Sequence, residues 1–170
     1  MILPSPHEAS DPAPSSIGCL VMTCHATRSA ETDASGLLIQ RLLTAYGHRV
    51  VGYQVVIGDP AQLQLSIARG TGHDAVQALL ISDNTGLSRR DGMVDAVEAM
   101  LDKRLEGFGE LFRVLTYHDL GSPAIRSHAT AGIIKGRVLF AFPGSEQAIH
   151  LAMEKLILPE LGPLMQQLAP

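Results

Sequence analysis

Short apolar runs alternate with amphipathic stretches along most of this chain. The apolar runs of strand length cover residues 17–23, 49–57, 75–82 and 138–142. Between them, apolar residues recur at helical spacing, as in Phe108, Leu111, Phe112 and Leu115. Because strands alternate with helices, we predict an α/β fold with three layers, α/β/α, and a mainly parallel sheet.

Capping residues predict where individual helices begin and end. Asp33 and Ser35 precede an amphipathic run that closes at Gly47, which is the pattern of a polar N-cap and a C-terminal glycine. Ser145 precedes a second such run, which contains Ile149. We therefore expect helices to start directly after Asp33 or Ser35 and after Ser145.

Towards the C-terminus the signals are weaker. We interpret residues 123–134 as a further helix. Pro159 lacks a backbone N–H, so we expect it to break or kink the long helix that starts after Ser145. A short last helix is then predicted over residues 160–168.

The composition narrows the class of protein. The chain has 170 residues, 46% of them hydrophobic, and a formal net charge of −4. That size suits one domain with its own core, and the mild acidity argues against a nucleic-acid-binding surface. No apolar run reaches the ~20 residues that a membrane span needs. Cys19 and Cys24 form neither a zinc pattern nor a disulfide framework. We therefore predict neither a nucleic-acid partner nor a membrane partner.

The first 16 residues differ from the rest of the chain. They are rich in proline, and the first basic residue is Arg28, so the positive region of a secretory signal is missing. We predict a flexible arm over residues 1–16, followed by a single domain over residues 17–170 in the cytoplasm.

Three connections lead from a predicted strand into a helix, over residues 23–35, 82–91 and 142–145. Ligands of parallel α/β sheets bind at the edge where such connections lie. Asp33 and Asp91 are candidate carboxylates there, although each is also explained as the N-cap of the next helix. Ser145 opens a helix whose free N–H groups attract anions, and the same serine is fully explained as a cap.

These connections belong to a set of motifs that carries a resemblance. The motifs are Asp33-Ala34-Ser35-Gly36, the run from Ser82 to Leu87 with Arg90-Asp91, Gly107-Phe108-Gly109-Glu110 with Phe112-Arg113, and Pro143-Gly144-Ser145. In this order and spacing, the chain resembles the MoaB and Mog family of molybdenum cofactor biosynthesis proteins over residues 17–161, and it looks closer to MoaB. The resemblance implies a homotrimer or homohexamer with a pocket at the strand ends.

The family that the chain resembles binds molybdopterin, a pterin dithiolene that carries a phosphate. Its active members transfer an adenylyl group from MgATP to that phosphate and release pyrophosphate. The resemblance implies that Asp33 and Asp91 are catalytic and hold Mg²⁺. It also implies a set of cofactor-binding residues in the second and third connections: Ser82, Asp83, Asn84, Thr85, Gly86, Pro143, Gly144 and Ser145.

The second connection departs from the family pattern Gly-Gly-Thr-Gly, because Asp83 and Asn84 replace the leading glycines. A carboxylate at this point repels a phosphate by ~1 kcal/mol at ~4 Å in bulk water. Both replacements nevertheless tolerate the backbone of a turn, and an ordinary Asx turn explains the same residues. Ser127 and His128 fall where the family has Ser-Arg, so a permanent charge is lost there.

Three functions remain open at this point. The chain is either a molybdopterin adenylyltransferase or, because of the altered loop, a non-catalytic paralogue that binds molybdopterin or a partner in the same pathway. The third hypothesis is a small regulatory α/β domain that senses a different anion.

Overall fold

A computed structural model describes residues 16–25, 32–57, 60–83 and 92–169. The strands in these ranges are β1 Gly18–His25, β2 Arg49–Ile57, β3 Ala78–Asp83, β4 Lys103–Arg104, β5 Thr130–Ile134 and β6 Arg137–Pro143. They form one sheet in the order β2-β1-β3-β6-β5-β4. The first four strands of this order are parallel, whereas β5 pairs antiparallel with both β6 and β4.

Helices cover both faces of the sheet. They are α1 Ala34–Ala45, α2 Pro60–Thr71, α3 Met93–Glu98, α4 Glu106–Leu120, α5 Glu146–His150 and α6 Leu158–Leu168. A 3-10 helix over Ser122–Arg126 follows α4, and a π-helix over Leu151–Ile157 joins α5 to α6. Among the helices described, none combines the length and the hydropathy that a membrane crossing requires.

The central strands alternate their side chains between two cores. Leu80 and Phe140 pack with α1, α4 and the α5–α6 stretch on one face, whereas Leu79 and Ile81 pack with α2 and α3 on the other. A strand that is buried on both faces carries a continuous apolar run, which explains the sequence of β3. The predicted three-layer α/β/α fold with a mainly parallel sheet is confirmed.

β2 forms one edge of the sheet, and its pairing with β1 is irregular. Cys19 lies opposite Val50 and Leu20 lies opposite Gly52, so Val51 is an extra residue on β2. This arrangement is a β-bulge, which increases the local twist of the strand that carries it.

The prediction of a helix over residues 123–134 is wrong. Gly121, with φ +71°, ends α4, and only the short 3-10 helix precedes β5. β5 contains Gly132, whose missing side chain lets the carbonyl of Lys103 in β4 approach closely. The segment is a strand because it pairs antiparallel with β6 on one side and with β4 on the other. Its 5 residues are too few to show a strand period in the sequence.

Of the two effects predicted for Pro159, a break or a kink in the long helix, the break is not observed. The predicted short last helix over residues 160–168 is found as α6, Leu158–Leu168. The helix continues from Glu146 to Leu168, with Pro159 in the first turn of α6. The π-helix directly before it has wider turns than an α-helix, and such segments accommodate irregularities that an α-helix does not. The predicted arm over residues 1–16 lies outside the described residues, apart from Ser16.

Candidate functional site

The carboxyl ends of β1, β3 and β6 lie side by side at one edge of the sheet. Thr23 is in register with Ser82, and Ser82 is in register with Phe142. The connections that follow these strands therefore start from one place, as expected for a parallel α/β sheet. Asn84, Thr85, Gly86 and Asp91, which the sequence also proposed for the site, lie outside the described residues.

Asp33 is the buried centre of a hydrogen-bond cluster at this edge. Its Oδ2 accepts from the hydroxyls of Thr23 and Tyr53, each at 2.5 Å. Its Oδ1 accepts from the backbone N–H of Gly36 at 3.1 Å and lies 3.1 Å from Nε2 of His25. Asp33 is 0% exposed. We call Asp33 and these four partners the Asp33 hub. One side chain thus joins β1, β2 and the first turn of α1.

The hub is arranged to keep Asp33 ionised. Burial by itself raises the pKa of this carboxyl, but the hydrogen bonds from Thr23, Tyr53, Gly36 and His25 outweigh it and hold the pKa below its usual range. Burial and the neighbouring Asp33 anion raise the pKa of Tyr53 to about 12. Tyr53 is therefore a neutral hydroxyl donor at physiological pH, facing a carboxylate.

These contacts do not fit a magnesium ligand. Mg²⁺ binds carboxylate oxygens that are open to it and keeps several waters around itself. Both oxygens of Asp33 already accept hydrogen bonds, and the residue has no exposed surface. Within the ranges that the structure describes, no three His, Cys, Asp or Glu side chains are grouped to hold a metal. Asp33 therefore has no oxygen open to a magnesium ion. Magnesium binding by Asp91 stays a prediction.

The backbone N–H and carbonyl of Gly144 join the three connections. Its carbonyl accepts a hydrogen bond of 2.8 Å from the hydroxyl of Ser35, at the start of α1. Its N–H donates a hydrogen bond of 2.7 Å to the carbonyl of Asp83, at the end of β3. We call this arrangement the Gly144 junction. It places Ser35, Asp83 and Gly144 at one point, although Ser35 and Gly144 are 109 residues apart.

The loop of Pro143, Gly144 and Ser145 separates two cavities. Ser145 caps α5, since its Oγ accepts from the N–H of Ala148 at 3.3 Å. On one side lies a groove of about 420 Å³, lined by Ala34, Ser35, Leu37, Leu38, Arg41, Gly144, Glu146 and Ile149. On the other lies a cavity of about 100 Å³, lined by Phe112, Thr116, Asp119, Leu120, Ser127, Pro143, Ser145, Gln147, Ala148 and Leu151. Two larger grooves, of about 590 Å³ each, contain none of the predicted site residues among their described walls.

Ser82 and Asp83 point to opposite faces of the sheet, because side chains alternate along a strand. Ser82 lies on the face of Thr23 and α1; its hydroxyl is buried and has no hydrogen-bond partner within the part of the chain that the structure describes. Asp83 lies on the other face, beside Cys24. Burial, and then the charge of Asp83, raise the pKa of the Cys24 thiol, so that Cys24 stays protonated.

Sequence reasoning missed two members of the Asp33 hub. His25 ends β1 and is 7% exposed, and Tyr53 sits in the middle of β2. Neither belongs to a motif, so no local signal pointed to them. A polar residue at an inward position of an otherwise apolar strand, such as Thr23, is the signal in the sequence that could have indicated a buried polar partner.

Three comparisons with known proteins agree with this architecture. The family described as a probable molybdopterin binding domain matches residues 19–163. The molybdenum cofactor biosynthesis protein B of Bacillus cereus is 44% identical over 151 residues, which are 88% of this chain and 89% of that protein. A crystal structure of a molybdenum cofactor biosynthesis protein B superposes with a TM-score of 0.89 at 43% identity, covering 92% of this chain and 98% of the other. The tungsten cofactor synthesizing protein MoaB of Pyrococcus furiosus superposes with a TM-score of 0.80 at 29% identity, covering 91% and 98%.

Proposed function

Because this chain belongs to the molybdenum cofactor biosynthesis protein B family, we propose that it binds molybdopterin at the edge where β1, β3 and β6 end. The observation that carries the proposal is the Gly144 junction, which joins one residue from each of the three predicted ligand connections. Molybdopterin has a pterin, a dithiolene and a phosphate. A site at the sheet edge that is formed by three segments distant in sequence can offer separate contacts to these groups.

The loop after β6 supplies the phosphate end of this proposed site. Ser145 opens a helical stretch that runs to Leu168, and the residues at its start, Ser145, Glu146 and Gln147, are exposed. The N-terminus of a helix attracts anions through its free N–H groups and the helix dipole. We expect the phosphate of molybdopterin to lie here. The proposed contacts are Ser82, Asp83, Asn84, Thr85, Gly86, Pro143, Gly144 and Ser145.

The two cavities beside this loop can accommodate the parts of molybdopterin other than its phosphate. The groove of about 420 Å³ is lined by the carboxylate of Glu146 as well as by Arg41, whose guanidinium offers donors to an anionic group. The smaller cavity is lined by Ser127, Asp119 and Thr116, whose oxygens suit the N–H and amino donors of a pterin ring. Ser127 is one of the two residues at the family's Ser-Arg position, which supports this assignment.

The reaction that we propose is adenylyl transfer. An oxygen of the molybdopterin phosphate forms a bond to the α-phosphorus of ATP, the bond between the α- and β-phosphates breaks, and pyrophosphate leaves. ATP would supply the adenylyl group, and the Mg²⁺ bound with it would offset the negative charge of the leaving pyrophosphate. The contribution of the chain is to bind and align the phosphate at Ser145 and the adjoining connections, since positioning accounts for much of such catalysis. Asp91 is the carboxylate proposed for the magnesium ion.

The second candidate is a paralogue that binds molybdopterin without transferring the adenylyl group, which Asp83 and Asn84 favour. Asp83 is 8% exposed and lies on the Cys24 side of the sheet, away from Ser35. Its charge is therefore not directed into the groove beside the Gly144 junction, and we expect binding to survive. Whether transfer survives depends on the backbone of residues 84–86.

Titration of the protein with molybdopterin tests the binding proposal. We expect saturable binding, and Ser145→Ala should weaken it about fivefold, since one hydrogen-bonding group contributes ~1 kcal/mol. The control is Thr44→Ala, which removes a hydroxyl that donates to the carbonyl of Gln40 far from the site. Inorganic phosphate and sulfate serve as comparison ligands in a thermal stability assay, because a ligand of the folded state raises the melting temperature. Stabilisation by these ions but not by molybdopterin would overturn the proposal in favour of an anion sensor.

Pyrophosphate release from MgATP in the presence of molybdopterin tests the transfer step, with an active relative assayed in parallel. The double variant Asp83→Gly, Asn84→Gly restores the family loop. Pyrophosphate release by the natural chain supports the proposal that it is an adenylyltransferase. Turnover by the double variant alone identifies the loop as the cause of a lost activity, and its absence from both proteins argues for the binding paralogue.

A further inference from the structure

We infer that Asp33 is a positioning residue: the buried Asp33 hub fixes the start of α1, and through Ser35 it holds the Gly144 loop in the shape that receives the ligand. This inference rests on the proposed function. It assigns Asp33 a task other than the magnesium binding that the sequence suggested.

The first step is the hub itself. Asp33 accepts from residues of β1, β2 and α1, namely Thr23, Tyr53 and Gly36. An ionised acceptor makes hydrogen bonds about twice as strong as a neutral one. The start of α1 is therefore attached to the sheet at a single buried anion rather than by apolar packing alone.

The fit around the hub leaves little freedom. A Cβ built on Gly36 would collide with Oδ2 of Asp33 and would lie 2.6 Å from Cε2 of Tyr53. The carboxylate, the tyrosine ring and the helix backbone thus touch without a gap. Interiors packed in this way transmit a displacement instead of absorbing it.

The second step leads from α1 to the loop. Ser35 is two residues beyond Asp33, is 6% exposed, and donates its hydroxyl hydrogen to the carbonyl of Gly144. The N–H of the same glycine donates to the carbonyl of Asp83. Gly144 is held from both sides, so its place depends on where the hub holds Ser35. Ser145, which we propose for the phosphate, is the next residue.

The burial and the hydrogen bonds of Asp33 distinguish a positioning role from metal binding. A ligand of Mg²⁺ needs an oxygen that the ion can reach, and Asp33 has neither exposed surface nor an unused oxygen. A positioning role needs both oxygens occupied by protein donors, which is the observed state. The two roles predict different results for the same substitutions.

The test uses the full chain with Asp33→Asn, Ser35→Ala and, as a matched control, Thr44→Ala. Asp33→Asn keeps the shape and removes the charge, Ser35→Ala leaves the hub intact and removes only the bond to Gly144, and Thr44→Ala removes a hydroxyl-to-carbonyl bond at the other end of α1. The first readout is the hydrogen-exchange rate of the Gly144 amide without ligand. We expect it to rise about fivefold in the first two variants, the effect of losing one hydrogen bond, and to stay unchanged in the control.

The second readout separates ligand affinity from magnesium dependence. We expect the Kd for molybdopterin to rise about fivefold in Asp33→Asn and Ser35→Ala, while the Mg²⁺ concentration for half-maximal pyrophosphate release or ATP binding is unchanged. An increase of about tenfold in that Mg²⁺ concentration for Asp33→Asn, but not for Ser35→Ala, would identify Asp33 as a metal ligand and overturn the inference.

The two proposals fail in different ways. If the natural chain binds no molybdopterin, the proposed function is wrong. The exchange rate of the Gly144 amide then still tests whether Asp33 positions the loop. An unchanged exchange rate in both variants would overturn the inference whatever the ligand. If Asp33→Asn does not fold, the exchange rate of the Gly144 amide in Ser35→Ala tests the inference, because this variant leaves all four partners of Asp33 in place.

Discussion

Gly36 has no room for a side chain, because Asp33 and Tyr53 close over it in the first turn of α1. We predict that Gly36→Ala destabilises the protein by about 3 kcal/mol, through the overpacking of a buried contact. Gly107→Ala is the matched control, since Gly107 is a helical glycine in α4 with nothing near the position of a Cβ. That substitution should stabilise by about 0.5 kcal/mol. Urea unfolding of the two variants measures both values, and equal effects would contradict the packing of the hub.

His48 gives the stability a pH dependence that can be assigned to one residue. Burial lowers the pKa of this imidazole, and its Nδ1 accepts from the N–H of Ile17 at 3.4 Å. The unfolded chain therefore binds a proton at a higher pH than the folded chain does. Stability is fully present above the unfolded pKa of ~6.5 and is lost as the pH falls through the lower folded value.

The corresponding experiment compares unfolding free energies at pH 7 and pH 5. We expect the natural chain to lose more stability over this interval than His48→Asn, whose amide oxygen takes the place of Nδ1 as an acceptor for Ile17 and does not titrate. The other histidines are common to both proteins, so the difference reports His48. Identical losses in the two proteins would show that His48 is not the group responsible.

Local signals predicted single residues well and long-range contacts poorly. Asp33 and Ser145 were predicted as N-caps, and both accept from a backbone N–H three residues further on. A cap depends on neighbours in sequence, which a pattern reveals. The bond from Ser35 to Gly144 and the approach of Tyr53 to Asp33 depend on how strands pair, which no local pattern contains.

At the scale of elements, the parallel half of the sheet was predictable and the antiparallel half was not. The strands β1, β2, β3 and β6 are apolar runs bounded by turns, so their existence follows from hydrophobicity. β5 is short, and β4 has two residues, both exposed. These two strands are too short to show the alternation of apolar and polar residues. Their structure is determined by pairing with neighbouring strands.

The turn between β5 and β6 offers a prediction at this scale. Lys135 and Gly136 both have positive φ, at 47° and 73°, as two-residue hairpin turns require. Lysine tolerates this conformation less well than asparagine does. We predict that Lys135→Asn stabilises the protein by about 0.5–1 kcal/mol. Thermal unfolding tests this, with Lys103→Asn in β4 as a control that should bring no gain; a lower melting temperature for Lys135→Asn would contradict it.

The whole molecule presents an apolar surface on α4 and the 3-10 helix that follows it. Its members are large apolar side chains that are at least half exposed: Leu111, Val114, Tyr117, Leu120 and Ile125, the last at 87%. A monomer rarely exposes so many apolar side chains in one short segment, and such patches mark contacts between proteins. We therefore place the subunit contact of the expected homotrimer or homohexamer on this surface.

Sedimentation velocity tests the expected assembly. Val114→Glu should shift the protein to a smaller species, because a carboxylate would become buried in the contact without a partner. Leu65→Glu is the control, since Leu65 is an apolar residue of α2 that is exposed to a similar degree, on the other side of the sheet. A monomeric natural chain, or equal behaviour of the two variants, would contradict the placement.

We expect the bulge at Val51 to oppose the pairing of β2 with the same strand of another molecule. β2 is nine residues long, rich in valine and isoleucine, and stands at the margin of the sheet. Such a strand, if flat, would recruit the same segment of another molecule and extend into a fibre. The additional residue opposite Cys19 and Leu20 disturbs the even spacing of donors and acceptors that this growth requires. A single inserted valine is therefore expected to lower the tendency of this strand to serve as a template for aggregation.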